Sequence, residues 1–280
     1  MASDYVVTAN LVGLTAWQGE FAVACLSLSL LCCFELAVLT ITLWNKKSKI
    51  YFWSIAVATF CSLCYTIGGF LYFFAPPSVA SKWLCALVSC IGYWIYTPAE
   101  FTVMYTRLHL LRPSRRVLLV CKIVLISEWL LFTTPNAILS FAALVSPDLK
   151  FANAYSYTQR IEPAVYVSVS VMLSCVYIYH AFVMFKKYGD KKIQGLLIRL
   201  VYTNLFLVAL GVGNIVSEYV GGGVVQSSYI AFFYSFQLKI ELWMLNEIGL
   251  LASETLERLE NSRPKKRERI LLTLYLYHAI

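Results

Sequence analysis

Seven runs of apolar residues, each about 20 residues or longer, leave this chain few ways to fold. They cover 21–43, 50–74, 83–106, 117–144, 163–185, 196–220 and 229–251. At 1.5 Å per residue each is long enough, as a helix, to cross roughly 30 Å of hydrocarbon. The breaks hold the Pro, Gly, Ser and charge that punctuate helices: NKKSK (45–49), APPSVASK (75–82), RLHLLRPSRR (107–116), SPDLKFANAYSYTQR (146–160), KKYGDKKIQG (186–195) and GGGVVQSS (221–228). With 60% hydrophobic and 14% charged residues over 280 positions, the chain lies outside soluble composition. A membrane β-barrel would instead show alternating segments of about 10 residues. The expected fold is all-α: a polytopic seven-transmembrane helix bundle over 21–251, preceded by a lumenal segment 1–20 and followed by a cytosolic juxtamembrane tail 252–280. No soluble domain is large enough to carry a site of its own.

Sidedness follows from the basic residues, because cytosolic loops retain the Lys and Arg excess. Of the 23 Lys and Arg, all but Lys82, Lys150, Arg160 and Lys239 fall in or beside loops one, three and five or in the tail. That places the N-terminus outside or in a lumen and the C-terminus in the cytosol, in the endoplasmic reticulum or another endomembrane. Residues 1–20 carry Asp4 and Glu20 but no basic n-region, so helix one is expected as an anchor and not as a cleaved leader. The net charge of +8 sits in short loops and a juxtamembrane tail without a recognition motif. It points to an anionic cytosolic bilayer face and not to nucleic acid.

The side-chain inventory excludes several chemistries. The three Asp (Asp4, Asp148, Asp190) lie in polar flanks, so no acidic cluster can hold magnesium around a diphosphate. His109, His180 and His278 are far apart and lack zinc or iron spacing. The nine Cys fall nearly all inside spans, where thiols serve as small apolar fillers, and the Cys61/Cys64 pair has no second pair nearby. No metal site and no cofactor is expected.

What remains is a set of glutamates in hydrocarbon. Glu128 and Glu241 fall near midplane, Glu35 and Glu100 in the cytosolic half, and Glu20, Glu162, Glu218 and Glu247 at interfaces. A deep ionisable group costs at least about 2.5 kcal/mol, so it faces the bundle interior with a partner or a function. Lys239 and Glu241 are two residues apart, about 200° around a helix, and cannot pair with each other. Lys239 therefore braces against Glu35 or Glu100, contacts substrate, or forms a retinal Schiff base with Glu100 as counter-ion. Glu35 and Arg107 are each read as residues of structural charge pairing.

A buried carboxyl without a counter-charge is also what an acid catalyst in an apolar pocket requires. Glu100, Glu128 and Glu241 are the candidate catalytic acids. Ring faces stabilise cations, and Trp94, Tyr96, Trp129, Tyr234 and Trp243, with Lys239, are the candidate substrate contacts; most other rings read as packing or interfacial belt. Pro98, two residues before Glu100, frees a backbone carbonyl one turn earlier and can kink helix three around a cavity. Pro135 and Asn136 admit the same reading.

The strings FELAVLTITLWNKKSKIYFWSIAVAT (34–59), YTRLHLL (105–111), SEYV (217–220) and YSFQLKIE (234–241) resemble a family of fungal heptahelical membrane proteins over nearly the whole chain. The resemblance implies the fold more than the function. Arg107, Glu218, Lys239 and Glu241 match the family pattern, whereas the family carries an amide more often than an acid at the position of Glu100. By size, span number and chemistry the chain is also similar to membrane terpene cyclases of meroterpenoid pathways, those of ascochlorin and macrophorin type. That likeness implies protonation of a terminal epoxide or olefin of a farnesyl chain on an aromatic or quinone head, without metal.

Two functions are therefore carried forward. One is a metal-independent cyclase acting on a lipophilic prenylated small molecule in secondary metabolism. The other is a seven-helix receptor or sensor, for which Arg107 at the cytosolic end of helix three speaks; the absence of an acid before it and of NPxxY in helix seven speak against. An opsin through Lys239 and a transporter rank lower, since no internal repeat divides the chain into halves.

Overall fold

The computed structural model describes residues 16–42, 49–74, 79–110, 114–145, 149–186 and 191–260. Helices α1 (Ala16–Thr42), α2 (Lys49–Phe74) and α3 (Val79–Leu110) are followed by α4 (Arg115–Glu128), a π-helical turn (Trp129–Thr133) and α5 (Thr134–Val145). Two long helices complete it, α6 (Leu149–Lys186) and α7 (Lys191–Glu260). Residues 1–15, 43–48, 75–78, 111–113, 146–148, 187–190 and the tail beyond Glu260 lie outside the described residues, as do the side chains of Glu218 and Glu247.

Six stretches are long and apolar enough to cross a bilayer: Ala16–Thr42, Phe52–Phe73, Trp83–His109, Arg115–Ala143, Leu149–His180 and Ile198–Ser217. Their outer faces carry large exposed apolar side chains such as Phe34, Phe60, Leu131, Ile138 and Leu205, as lipid contact requires. The protein is thus an all-α polytopic membrane bundle with six to seven long apolar helices.

The break expected at 221–228 is absent as an extended loop: α7 keeps helical backbone through it. A straight helix would hold Phe206 and Phe236 about 45 Å apart. Their ring centroids are 6.1 Å apart, and the Tyr229 hydroxyl donates to the Leu210 carbonyl at 3.0 Å. The axis therefore folds back, making two antiparallel arms. The second arm carries Gln226, Gln237, Lys239 and Glu241 and is the more polar.

A second departure lies in α6, which starts at Leu149 and not at 163. The polar run 149–160 reads as a loop from sequence, yet its polar side chains are used inside the bundle. The Thr158 hydroxyl donates to Asn136 Oδ1 at 3.0 Å, and Gln159 Nε2 donates to Gln226 Oε1 at 2.6 Å. Glu162, expected at an interface, is consequently an interior residue, 3% exposed.

Helix α3 runs through the centre and packs most closely on α2. The approach is set by Gly92, where an added Cβ would stand 2.8 Å from both the Cys61 carbonyl oxygen and the Tyr65 nitrogen. Backbone atoms cannot move aside as side-chain ends can. Gly92→Val is expected to lower the unfolding temperature by roughly 5 °C, since overpacking costs typically 1–3 kcal/mol. Gly19→Val, at a position with nothing within 4 Å, is the matched control and should leave it unchanged. Equal unfolding temperatures for the two variants in a thermal denaturation series would refute this contact.

Candidate functional site

Pro98 cannot donate to the carbonyl of Trp94 one turn earlier. The Trp129 indole nitrogen supplies the missing hydrogen bond, donating to that oxygen at 3.2 Å. The two indoles stack at 5.5 Å, and Trp94 Nε1 donates to the Thr134 hydroxyl at 3.1 Å. Pro135 likewise withholds a donor from Leu131, and the chain widens into the π turn Trp129–Thr133, closed by the Thr134 hydroxyl on the Trp129 carbonyl at 2.8 Å. Trp94 and Trp129, singled out from sequence as substrate contacts, thus form a clasp joining α3 to the π turn. Both of their ring nitrogens are used in it.

The same turn places Glu128. Its carboxyl accepts from the Thr133 hydroxyl at 3.0 Å, while Oε2 has no hydrogen-bond partner. Glu128 is 2% exposed. An interior carboxyl fixed across a π turn is of the kind often found at functional positions.

Glu100 stands deeper, fully buried on α3. The Tyr166 hydroxyl from α6 donates a short hydrogen bond to Glu100 Oε2, and Oε1 has no partner. Four rings wall this carboxyl. Tyr96 stacks on Tyr234 at 4.4 Å, and its hydroxyl donates to the Tyr234 backbone carbonyl at 2.9 Å. Phe101 stacks on Tyr166 at 5.6 Å, and Tyr166 meets Tyr234 at 5.7 Å. The box is built by α3, α6 and the second arm of α7. Tyr96 and Tyr234 were legible as ring candidates; Tyr166, which touches the carboxyl, was not singled out.

Toward the other end of α3, Arg107 Nη1 lies 3.1 Å from Glu241 Oε1, both buried, with the guanidinium 5.0 Å above the Tyr177 ring. Glu241, read from sequence as a candidate acid, is therefore half of an ion pair. Lys239 is paired with Glu35, and both side chains are more than a third exposed. Glu100, the other partner expected for Lys239, is instead held by Tyr166. Trp243 is half-exposed.

Glu162 completes the set. It lines a cavity of about 50 Å³ together with Tyr65, Cys90, Tyr93, Asn136 and Gln159. Its carboxyl lies against the Tyr93 hydroxyl. Tyr93 stacks on Tyr234 at 6.4 Å, which links the cavity to the ring box around Glu100.

Fold and site together define a class: a helical membrane protein in which, among the described residues, four glutamates are buried against a wall of tyrosines and one of the four, Glu241, is ion-paired. Comparison with family models, curated proteins and solved structures gives no match, so the site chemistry carries the functional reading.

Proposed function

We propose that the protein is a metal-independent terpene cyclase that protonates the terminal epoxide or olefin of a prenylated aromatic or quinone substrate within the membrane. The observation that carries this reading is the Glu100 carboxyl, anchored through one oxygen by Tyr166, free at the other, and boxed by Tyr96, Tyr166, Tyr234 and Phe101. A carboxylate buried without a counter-charge costs several kcal/mol, so in this reading the carboxyl carries its proton. It is then a donor in a water-poor site, and the ring faces beside it stabilise the cation that protonation creates.

The step balances without a cofactor. Glu100 gives its proton to the terminal alkene or epoxide, the chain's π bonds close onto the cation, and a carbon-bound proton leaves to Glu128 or to the Glu100 carboxylate. Product and substrate are isomers. Most of the remaining acceleration comes from holding the chain folded, worth up to roughly 7–11 kcal/mol in well-oriented systems. The cavity beside Tyr93, at about 50 Å³, is smaller than the roughly 300 Å³ of an ordinary ligand pocket, so it does not hold the farnesyl chain; the chain binds against the ring box around Glu100, which entails parting of the helices there.

In this reading the second arm of α7 is the seventh span, the N-terminus is lumenal and the C-terminus cytosolic. The basic loops face the anionic leaflet of an endomembrane. Membranes containing the protein should convert a farnesylated phenol, epoxidised or not, into a new isomer of unchanged mass, followed by retention time.

One observation favours a second reading. The buried Arg107–Glu241 pair ties α3 to α7 beside Tyr177 and Asn204 in a narrow crevice, as a two-state lock of a receptor would. A ligand that stabilises the protein, is recovered unchanged and promotes G-protein coupling would select it.

A further inference from the structure

The cavity around Glu162 is not used by the proposed reaction, and its polar groups are unbalanced in a specific way. It lies between α2, α3, α5, α6 and the second arm of α7, and is lined by Tyr65, Tyr93, Asn136, Ser140, Gln159 and Glu162 among others. Four of its donors are committed to other groups, and the Tyr93 hydroxyl faces the Glu162 carboxyl. Gln159 Nε2 donates to Gln226 Oε1 at 2.6 Å, Asn136 Nδ2 to the Tyr93 hydroxyl at 3.4 Å, and the Tyr65 hydroxyl to the Ser227 carbonyl at 3.4 Å. The Cys90 thiol donates to the Ser140 hydroxyl at 3.7 Å. Two acceptors are left without a partner, Glu162 Oε1 and Gln159 Oε1, on residues 3% and 5% exposed. Buried acceptors in such a setting require a donor or a positive charge.

We infer that this cavity is a binding site for a small monovalent cation, Na⁺ by size, with Glu162 as its charged ligand and Gln159 Oε1 as a neutral one. The lining supports the assignment in three respects. Its ligating atoms are hard oxygens from a carboxylate, amides and hydroxyls, which suit alkali and not soft metal ions. It offers one carboxylate, and among the described residues no group of three or more His, Cys, Asp or Glu could hold a metal ion, whereas divalent sites gather more charge. Its volume of about 50 Å³ takes an ion with a few waters, each needing about 10–15 Å³, and leaves no space for a bulky organic cation. The site stands independently of the cyclase reading.

The test uses the full chain, purified in nanodiscs, with unfolding followed by tryptophan fluorescence. NaCl, KCl and N-methylglucamine chloride are compared at one ionic strength. The expected result is a saturable rise of about 3 °C or more with Na⁺ over N-methylglucamine, smaller with K⁺, and absent in Glu162→Gln. Identical curves in Na⁺ and N-methylglucamine, or an undiminished Na⁺ shift in Glu162→Gln, would overturn the site. A shift as large with K⁺ would overturn the assignment to Na⁺. Should Glu162→Gln fail to fold, radiolabelled Na⁺ retained by the wild-type protein and displaced by unlabelled Na⁺, but not by N-methylglucamine, supports the site; no retention refutes it.

Discussion

Glu100→Gln is expected to reduce cyclisation by about 10²–10⁴, the range that general acid catalysis supplies, while leaving the protein folded. The substitution keeps the size of the side chain and its carbonyl oxygen, so Tyr166 can still donate to it. Only the transferable proton is lost. Tyr166→Phe should have a smaller effect, because it removes the anchor of the carboxyl and not the acid itself. Glu128→Gln distinguishes the roles further: if Glu128 only receives the final proton, the variant loses less than Glu100→Gln and gives a different ratio of olefin products. Product analysis on protein shown to be folded by its unfolding curve checks all three. Full activity in Glu100→Gln would remove Glu100 as the acid.

The largest effect on stability is expected at Arg107. Arg107→Leu leaves Glu241 buried, 1% exposed, without its counter-charge, and also empties the place above the Tyr177 ring. Breaking a buried pair from one side costs about 3–5 kcal/mol. For a chain of this size that corresponds to a fall of roughly 10 °C in unfolding temperature. The double variant Arg107→Leu/Glu241→Leu should recover most of the loss, because neither charge remains to be buried unpaired. Lys239→Met is the contrasting case. Lys239 and Glu35 are both well exposed at the side of the bundle, and a pair of that kind contributes little. A thermal series in which Lys239→Met falls as far as Arg107→Leu would contradict this ranking.

The long apolar runs made the bundle legible, because hydrocarbon thickness and helical rise leave little freedom. Two boundaries were not. Residues 149–160 are polar enough to read as a loop, but Thr158 and Gln159 meet partners on Asn136 and Gln226 that are distant in sequence. Local composition cannot show that. The same displacement hid Glu162, whose neighbour Tyr93 lies on another helix. The triple glycine at 221–223 reads as a loop between two helices, yet helical backbone persists through it.

The site was half legible for a related reason. Glu100, Glu128 and Glu241 stand out because charge in a span is costly wherever it occurs. Which of them is paired depends on the helix opposite, and the sequence does not print that. Arg107 takes Glu241, Tyr166 takes Glu100, and Thr133 takes Glu128. The prolines carried more information than a kink alone: Pro98 opens a carbonyl on Trp94, and Trp129 answers it. Two indoles that look like substrate contacts from sequence are thereby committed to holding α3 against the π turn.

The most direct measurement is conversion of a farnesylated phenol and its terminal epoxide by membranes containing the protein, run in parallel in H₂O and D₂O. Acid-initiated cyclisation of the olefin should give an isomer that keeps one carbon-bound deuterium from D₂O. The epoxide should give a cyclic alcohol whose label washes out in H₂O. Protein with an intact unfolding transition that converts neither substrate, or a product from D₂O olefin reactions without retained deuterium, would contradict an interior glutamate acting as the initiating acid.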